Sequence, residues 1–349
     1  MRTIDWIDGG IELIDQTLLP HRLEQRRVTE LTDLISDIQR LAVRGAPALG
    51  VAGAMGVALI AANVAAADTS GDAAAARAEV VRQSLLLREA RPTAVNLSWG
   101  VDRALTRLDE GAAAILDEAL AIRDEDIAAC ISMGLRGADL TRELTGKDPV
   151  RVMTICNTGG LATVERGTAL GVIQTLLEQG SLAEAFPLET RPLLQGVRLT
   201  AWELQRMGAP FRLLIDSAGP FLLSRGIADA VFIGADRIAA NGDSANKIGS
   251  FSLALAAKHA GVPFIVVAPE STVDMATASG SDIEIEDRGV AEVAGFGGVR
   301  TAPEGIEAVN PAFDVTPYEL ITAIVTERRV IRPGTGETLA TVPLEPLRS

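Results

Sequence analysis

The sequence predicts an α/β protein, in which a parallel sheet wrapped by helices follows a smaller, mainly helical N-terminal domain. Three observations predict it. Apolar residues in the first third recur at helical spacing, as in Leu31, Leu34, Ile35, Ile38 and Leu41. Beyond about residue 145 short β-branched runs alternate with helical stretches, the cadence of strand–helix–strand units. At 349 residues, with 48% hydrophobic and 22% charged residues, the chain is long enough for two domains and too apolar for disorder.

The elements follow in order. Short apolar pieces stand near Ile4, Ile11 and Leu18, before the helix of Leu31–Leu41. Gly45 to Ala67 carries no charge and is long enough to cross a membrane. It is mostly Ala and Gly, however, and lacks the Leu, Ile and Phe content that favours insertion, so a buried small-residue helix is expected. A surface turn is expected at ADTSGDAAAA, and helices around Val80–Ala90 and Val101–Leu108 on either side of ARPTAVNLSWG, where Pro92 breaks the pattern. The helical domain ends between 125 and 145 and is assigned to 1–130, leaving 131–349 as the second domain. There VRVMTI, RLLID, DAVFIGAD and PFIVVAP read as strands. ATVERGTALGVIQTLLEQG, SAGPFLLSRG and SANKIGSFSLALAAKHAG read as helical. Ligands of such sheets bind outside the carboxyl ends of the strands, where Cys156, Asp216, Asp236 and Pro269 fall.

Composition removes several function classes. A net charge of −14 argues against nucleic acid and against an anionic membrane surface. Cys130 and Cys156, His21 and His259 form no ligand-spaced cluster, so neither a disulfide framework nor a metal site is expected. MRTIDWIDGG has acids where a signal peptide would have its apolar core, and a cytoplasmic protein is expected. GAPALGVA lacks the Lys-Ser/Thr of a phosphate loop, GFGGVR has Arg300 where a dinucleotide fingerprint needs its third glycine, and no GxSxG is present.

What remains is local. In TICNTGG, Cys156 ends a strand before a helix expected near Ala162, whose N–H groups would favour a thiolate or hold an anion. A small buried thiol is the alternative. Asp236 ends DAVFIGAD among apolar neighbours that would raise its pKa, or else it caps a turn. A thiolate facing a carboxylic acid would make a matched base and acid. Arg44, at the start of the Ala/Gly helix, suits a phosphate clamp and equally an ordinary ion pair.

VRGAPALG, ARPTAVNL, TICNTGGLAT, ETRPLLQGVRLTAWEL, GADRIAANGDSANKIG and NPAFDVTP, in this order over nearly the whole chain, resemble the methylthioribose-1-phosphate isomerase family of methionine salvage. The resemblance implies a Rossmann-like second domain that binds no dinucleotide, and a homodimer; with no ligand-spaced cluster in the sequence, no cofactor is expected. It implies a catalytic cysteine at Cys156 and a catalytic aspartate at Asp236. It implies substrate contacts at Arg44, Gly45, Ala46, Arg91, Gln195, Asn246 and Lys247, and a sugar phosphate as the partner. Relatives of this architecture also include isomerases of 5-deoxyribose 1-phosphate and ribose 1,5-bisphosphate, and non-catalytic regulatory subunits of a translation-initiation exchange factor.

Overall fold

A computed structural model describes residues 1–69, 71–92 and 94–348. The chain forms two compact units. The first holds Met1–Cys130 together with Gly159–Gly167, and the second holds Ile131–Thr158 and everything described from Thr168 onward.

The first unit opens with β1 (Ile4–Ile7), β2 (Gly10–Ile14) and β3 (Gln25–Val28), an antiparallel meander that accounts for the apolar pieces at Ile4 and Ile11, while Leu18 lies in the turn between β2 and β3. Among the described residues five α-helices follow: α1 (Leu31–Gln39), α2 (Ala46–Ala67), α3 (Ala73–Arg88), α4 (Val95–Leu105) and α5 (Ala112–Thr145), the last of which runs on into the second unit. α2 is the uncharged Ala/Gly stretch. Pro47 pre-sets its first turn, and Ala48 through Ala61 are buried, as befits a helix apolar on every side. It is the one described helix long and apolar enough to cross a membrane, and most of it is buried inside the fold as a core helix is. The expected turn at ADTSGDAAAA is shorter than the spacing suggested. Asp72 accepts from the N–H groups of Ala74 and Ala75, and this cap lets the alanines start α3. Ser70 of that turn and Thr93 of ARPTAVNLSWG lie outside the described residues.

The second unit is organised by a six-stranded sheet. Its strands are β4 (Val150–Thr154), β5 (Leu182–Pro187), β6 (Ala230–Ile233), β9 (Phe264–Val267), β14 (Ala323–Val325) and β15 (Val330–Ile331). Between β6 and β14 the chain also makes β7 (Arg237–Ala239), β8 (Ser244–Lys247), β10 (Val273–Asp274), β11 (Gly295–Phe296), β12 (Val299–Arg300) and β13 (Phe313–Thr316). The helices are α6 (Ala169–Glu178), α7 (Ala201–Met207), α8 (Ala218–Ser224), α9 (Ser250–Ala260) and α10 (Ala291–Ala294).

The large sheet runs β15-β14-β9-β6-β4-β5, parallel throughout except for the antiparallel edge strand β15. AVFI and FIVV are apolar without alternation because helices cover both faces of such a sheet, and every residue of both strands is buried. A smaller mixed sheet runs β10-β7-β8-β13.

Three expectations change in this unit. RLLID forms no regular strand. Its Leu214 makes a single parallel bridge to Leu188, and Phe211, just before this run, makes another to Ala185. The helix expected near Ala162 starts at Ala169, after a single 3₁₀ turn at Gly160–Ala162 that belongs to the first unit. The helix expected from Ser244 starts at Ser250, because Ser244–Lys247 pair antiparallel with Phe313–Thr316, a partner far along the chain that local spacing cannot reveal.

Phe232 is fully buried in β6, near the middle of the large sheet. Phe232→Ala is expected to lower the free energy of unfolding by about 3–5 kcal/mol in urea titration, with little change in the slope.

Candidate active site

The order of the large sheet reverses between β4 and β6. From β4 the chain moves outward to β5, then returns to the other side of β4 and proceeds through β6, β9 and β14. Such a switch opens a crevice at the carboxyl ends of the two strands. Cys156 follows the end of β4 by two residues, Asp236 follows the end of β6 by three, and the strands are paired with Thr154 opposite Phe232.

Cys156 is buried and stands in the left-handed region at φ 64°. Its N–H donates to Thr190 Oγ1 at 2.8 Å, and its carbonyl accepts from Thr200 Oγ1 at 2.6 Å. Thr190 and Leu194 are also left-handed, at φ 68° and 57°. Each such non-glycine residue costs roughly 1–3 kcal/mol and persists only where its surroundings impose it. Here Asp216 supplies part of that constraint, accepting from the N–H groups of Thr190 and Arg191 at 2.8 and 2.7 Å. The ETRPLLQG block is thereby wrapped onto the cysteine loop. Gln195, in this block, is 6% exposed, and its Oε1 is buried with no hydrogen-bond partner, an acceptor suited to a hydroxyl donor. The N-terminus of α6 meets Thr158 rather than Cys156, with Leu170 N–H donating to Thr158 Oγ1 at 3.0 Å.

Asp236 is brought to the same loop by a close approach. A Cβ on Gly234 would lie 2.8 Å from Thr158 Cγ2, so glycine is what lets GAD pass against CNT. The Asp236 N–H donates to Ala245 O at 2.9 Å, which sets the acid beside the β7–β8 hairpin. Asn246 and Lys247, both buried, end β8. Asn246 Nδ2 donates to Ser250 Oγ at 2.8 Å. Lys247 Nζ donates to Ala312 O at 2.9 Å and sits over the Phe313 ring, 4.8 Å from its centroid.

Arg44, Gly45, Ala46 and Arg91 belong to the first unit. Gly45, at φ 95°, packs on the Gly160–Ala162 turn so closely that a Cβ would overlap the backbone of Ala162. RGAP thus abuts the continuation of TICNTGG inside one unit. Arg91 stands in the turn between α3 and α4. Among the described residues no three His, Cys, Asp or Glu side chains gather as a metal-binding group.

Against this geometry the comparisons with known proteins are direct. The model of the initiation factor 2 subunit family matches residues 42–333. A methylthioribose-1-phosphate isomerase of Chloroflexus aurantiacus is 48% identical over 95% of this chain and 96% of its own length. The chain belongs to the methylthioribose-1-phosphate isomerase family. A probable bifunctional isomerase/dehydratase of Nocardia farcinica is 49% identical, and this chain spans 95% of itself but 60% of that protein. A 5-deoxyribose 1-phosphate isomerase of Moorella thermoacetica is 47% identical over 97% of this chain and 96% of its own. Among solved structures, the 5-methylthioribose 1-phosphate isomerase of Pyrococcus horikoshii superposes with a TM-score of 0.85 at 39% identity, over 95% of this chain and 92% of that one. A chain from A. fulgidus described as the delta subunit of translation initiation factor eIF-2B gives 0.83 at 40%, over 96% and 97%.

Four residues that no motif singles out stand against the candidate site: Thr190, Thr200, Glu203 and Asp314. All four lie inside the blocks that carry the resemblance, but none has a motif of its own. Asp314, opposite Asn246 in β13, accepts from Gly249 N–H at 2.7 Å and Phe251 N–H at 3.0 Å at the start of α9. Burial, which outweighs these donors and the charge of Lys247, pushes its carboxyl up to about 6. The folded state therefore binds a proton more tightly than the unfolded chain, and this group's contribution to stability is greatest at low pH and is lost as pH rises through about 6. Asp314→Asn does not titrate, so the unfolding free energy of wild type minus that of the variant is expected to become less positive, or more negative, from pH 4 to pH 7 in urea unfolding at both values.

Proposed function

We propose that the protein is an aldose–ketose isomerase that converts 5-methylthioribose 1-phosphate to 5-methylthioribulose 1-phosphate in methionine salvage. The observation that carries this is the placement of Cys156 and Asp236 at the carboxyl ends of adjacent parallel strands where the sheet order reverses. It comes in a chain about half identical, over nearly its whole length, to proteins of that name.

The reaction asks for few groups. The anomeric oxygen is esterified, so the ring cannot open as a free sugar's does. The bond from C1 to the ring oxygen must break as a proton reaches that oxygen. Hydrogen then moves from C2 to C1, and the C2 hydroxyl gives up its proton as the ketone forms. We assign Asp236 to the ring-oxygen proton and Cys156 to the C2 side, each a positioned acid or base. Arg44, Arg91 and Lys247 are assigned to the phosphate, as are backbone N–H groups of Gly45 and Ala46, and Gln195 and Asn246 to sugar hydroxyls. A Rossmann-like second domain, a cytoplasmic setting and a homodimer complete the reading. Association is supported by apolar side chains left exposed on α8 and α9, Phe221 at 63% and Leu255 at 46%.

A purely regulatory role, suggested by the eIF-2B likeness, would not require the strained and clamped cysteine described above. Cys156→Ser and Asp236→Asn are each expected to lower kcat by at least about a hundredfold with thermal stability little changed. Near-normal turnover in either variant removes that residue's assigned role.

The proposed cations suffice for one phosphate, and a second one buried without partners would cost several kcal/mol. An apolar pocket gains only ~1–3 kcal/mol from a methylthio group. The expected order of kcat/KM is therefore 5-methylthioribose 1-phosphate, then 5-deoxyribose 1-phosphate by a modest margin, then ribose 1,5-bisphosphate far behind. Kinetics on the three substrates side by side check it, and preference for the bisphosphate would overturn the substrate assignment.

A further inference from the structure

A carboxyl with no part in the chemistry above lies buried one residue-to-residue contact from Cys156. Glu203, in α7, is 7% exposed, and Asn157, which follows Cys156, is 2% exposed. Asn157 Nδ2 donates to Glu203 Oε2 at 2.5 Å and lies 3.3 Å from Thr200 Oγ1. Thr200 Oγ1 in turn donates to the carbonyl of Cys156.

The helix is built to present this pair. Gly196–Thr200 form a π-helical turn that runs directly into α7, a local departure often found at functional sites. Thr200 and Glu203 are three residues apart and so share a helix face. A buried carboxyl is costly unless well bonded, and this one accepts from the residue next to a left-handed cysteine.

We propose that Glu203 is a positioning residue: by accepting from Asn157 it fixes, together with Thr200, the turn that aims the Cys156 thiol. The kinetic consequence rests on the isomerase reading; the consequence for the thiol does not.

The test uses Glu203→Met, which keeps length and apolar packing without an equivalent acceptor, and Glu203→Gln, which can still accept from Asn157. Both are made in a Cys130→Ser background, so that one thiol reports. Two quantities are measured: kcat and KM with 5-methylthioribose 1-phosphate, and the pH profile of Cys156 alkylation by iodoacetamide. In Glu203→Met, kcat is expected to fall about a hundredfold with KM within about threefold, the scale of a misplaced reacting group. The midpoint of alkylation is expected to move by at least about half a pH unit. Glu203→Gln is expected to recover most of both.

A lower melting temperature in Glu203→Met with wild-type kcat and alkylation would mean a merely structural role and overturn the proposal. Equal losses in the two variants would overturn it too, because the accepted hydrogen bond would then not be the cause. If Glu203→Met does not fold, isosteric Thr200→Val decides: the same kinetic and alkylation pattern supports the network, and wild-type values in both refute it. Should the parent protein lack isomerase activity, the function proposed above fails, and the alkylation profiles alone still decide the role of Glu203.

Discussion

Two threonine hydroxyls hold the peptide of one cysteine, and much of the candidate site depends on that grip. Thr190 accepts from the Cys156 N–H and Thr200 donates to its carbonyl, so a backbone conformation that an isolated cysteine would avoid becomes the resting one. The grip is itself supported. Asp216 holds the chain at Thr190 and Arg191, while the π-helical turn delivers Thr200 from the other side. Hydrogen bonds to buried backbone do double service here, satisfying polar groups and determining where a thiol points.

The acid side is built differently. Asp236 stands at the entrance of the β7–β8 hairpin, whose second strand is pinned by β13. The ladder that aligns Asp236 with Ala245 also brings Asn246 and Lys247 beside it and sets Asp314 across from Asn246. The lysine and the half-buried carboxyl that caps α9 are therefore parts of one small sheet, and the acid stands at its edge. A change in its register would move all of them together, because a one-residue slip in a strand turns every side chain to the opposite face.

The resemblance to exchange-factor subunits and the resemblance to isomerases describe the same architecture. What separates them is chemistry at particular atoms. A fold alone does not imply a reaction, whereas a strained cysteine and a carboxylate at a strand-order reversal are a reason to expect one.

The sequence by itself determined the class of fold, the helical character of the first part, and the strands AVFI and FIVV, because these depend on the period and length of apolar runs. It also marked Cys156 and Asp236 at the ends of apolar strands, and the family resemblance gave them their expected roles. Tertiary structure decided what period cannot carry. Ser244–Lys247 became a strand because Phe313–Thr316 pairs with it, and the small residues after Cys156 joined the first unit instead of starting a helix. RLLID, apolar enough for a strand, forms one bridge, from Leu214 to Leu188. The contacts of Thr190, Thr200 and Glu203 around Cys156 and Asn157 are likewise long-range hydrogen bonds between side chains and distant backbone. No spacing announces them, because their partners meet only when the chain has folded.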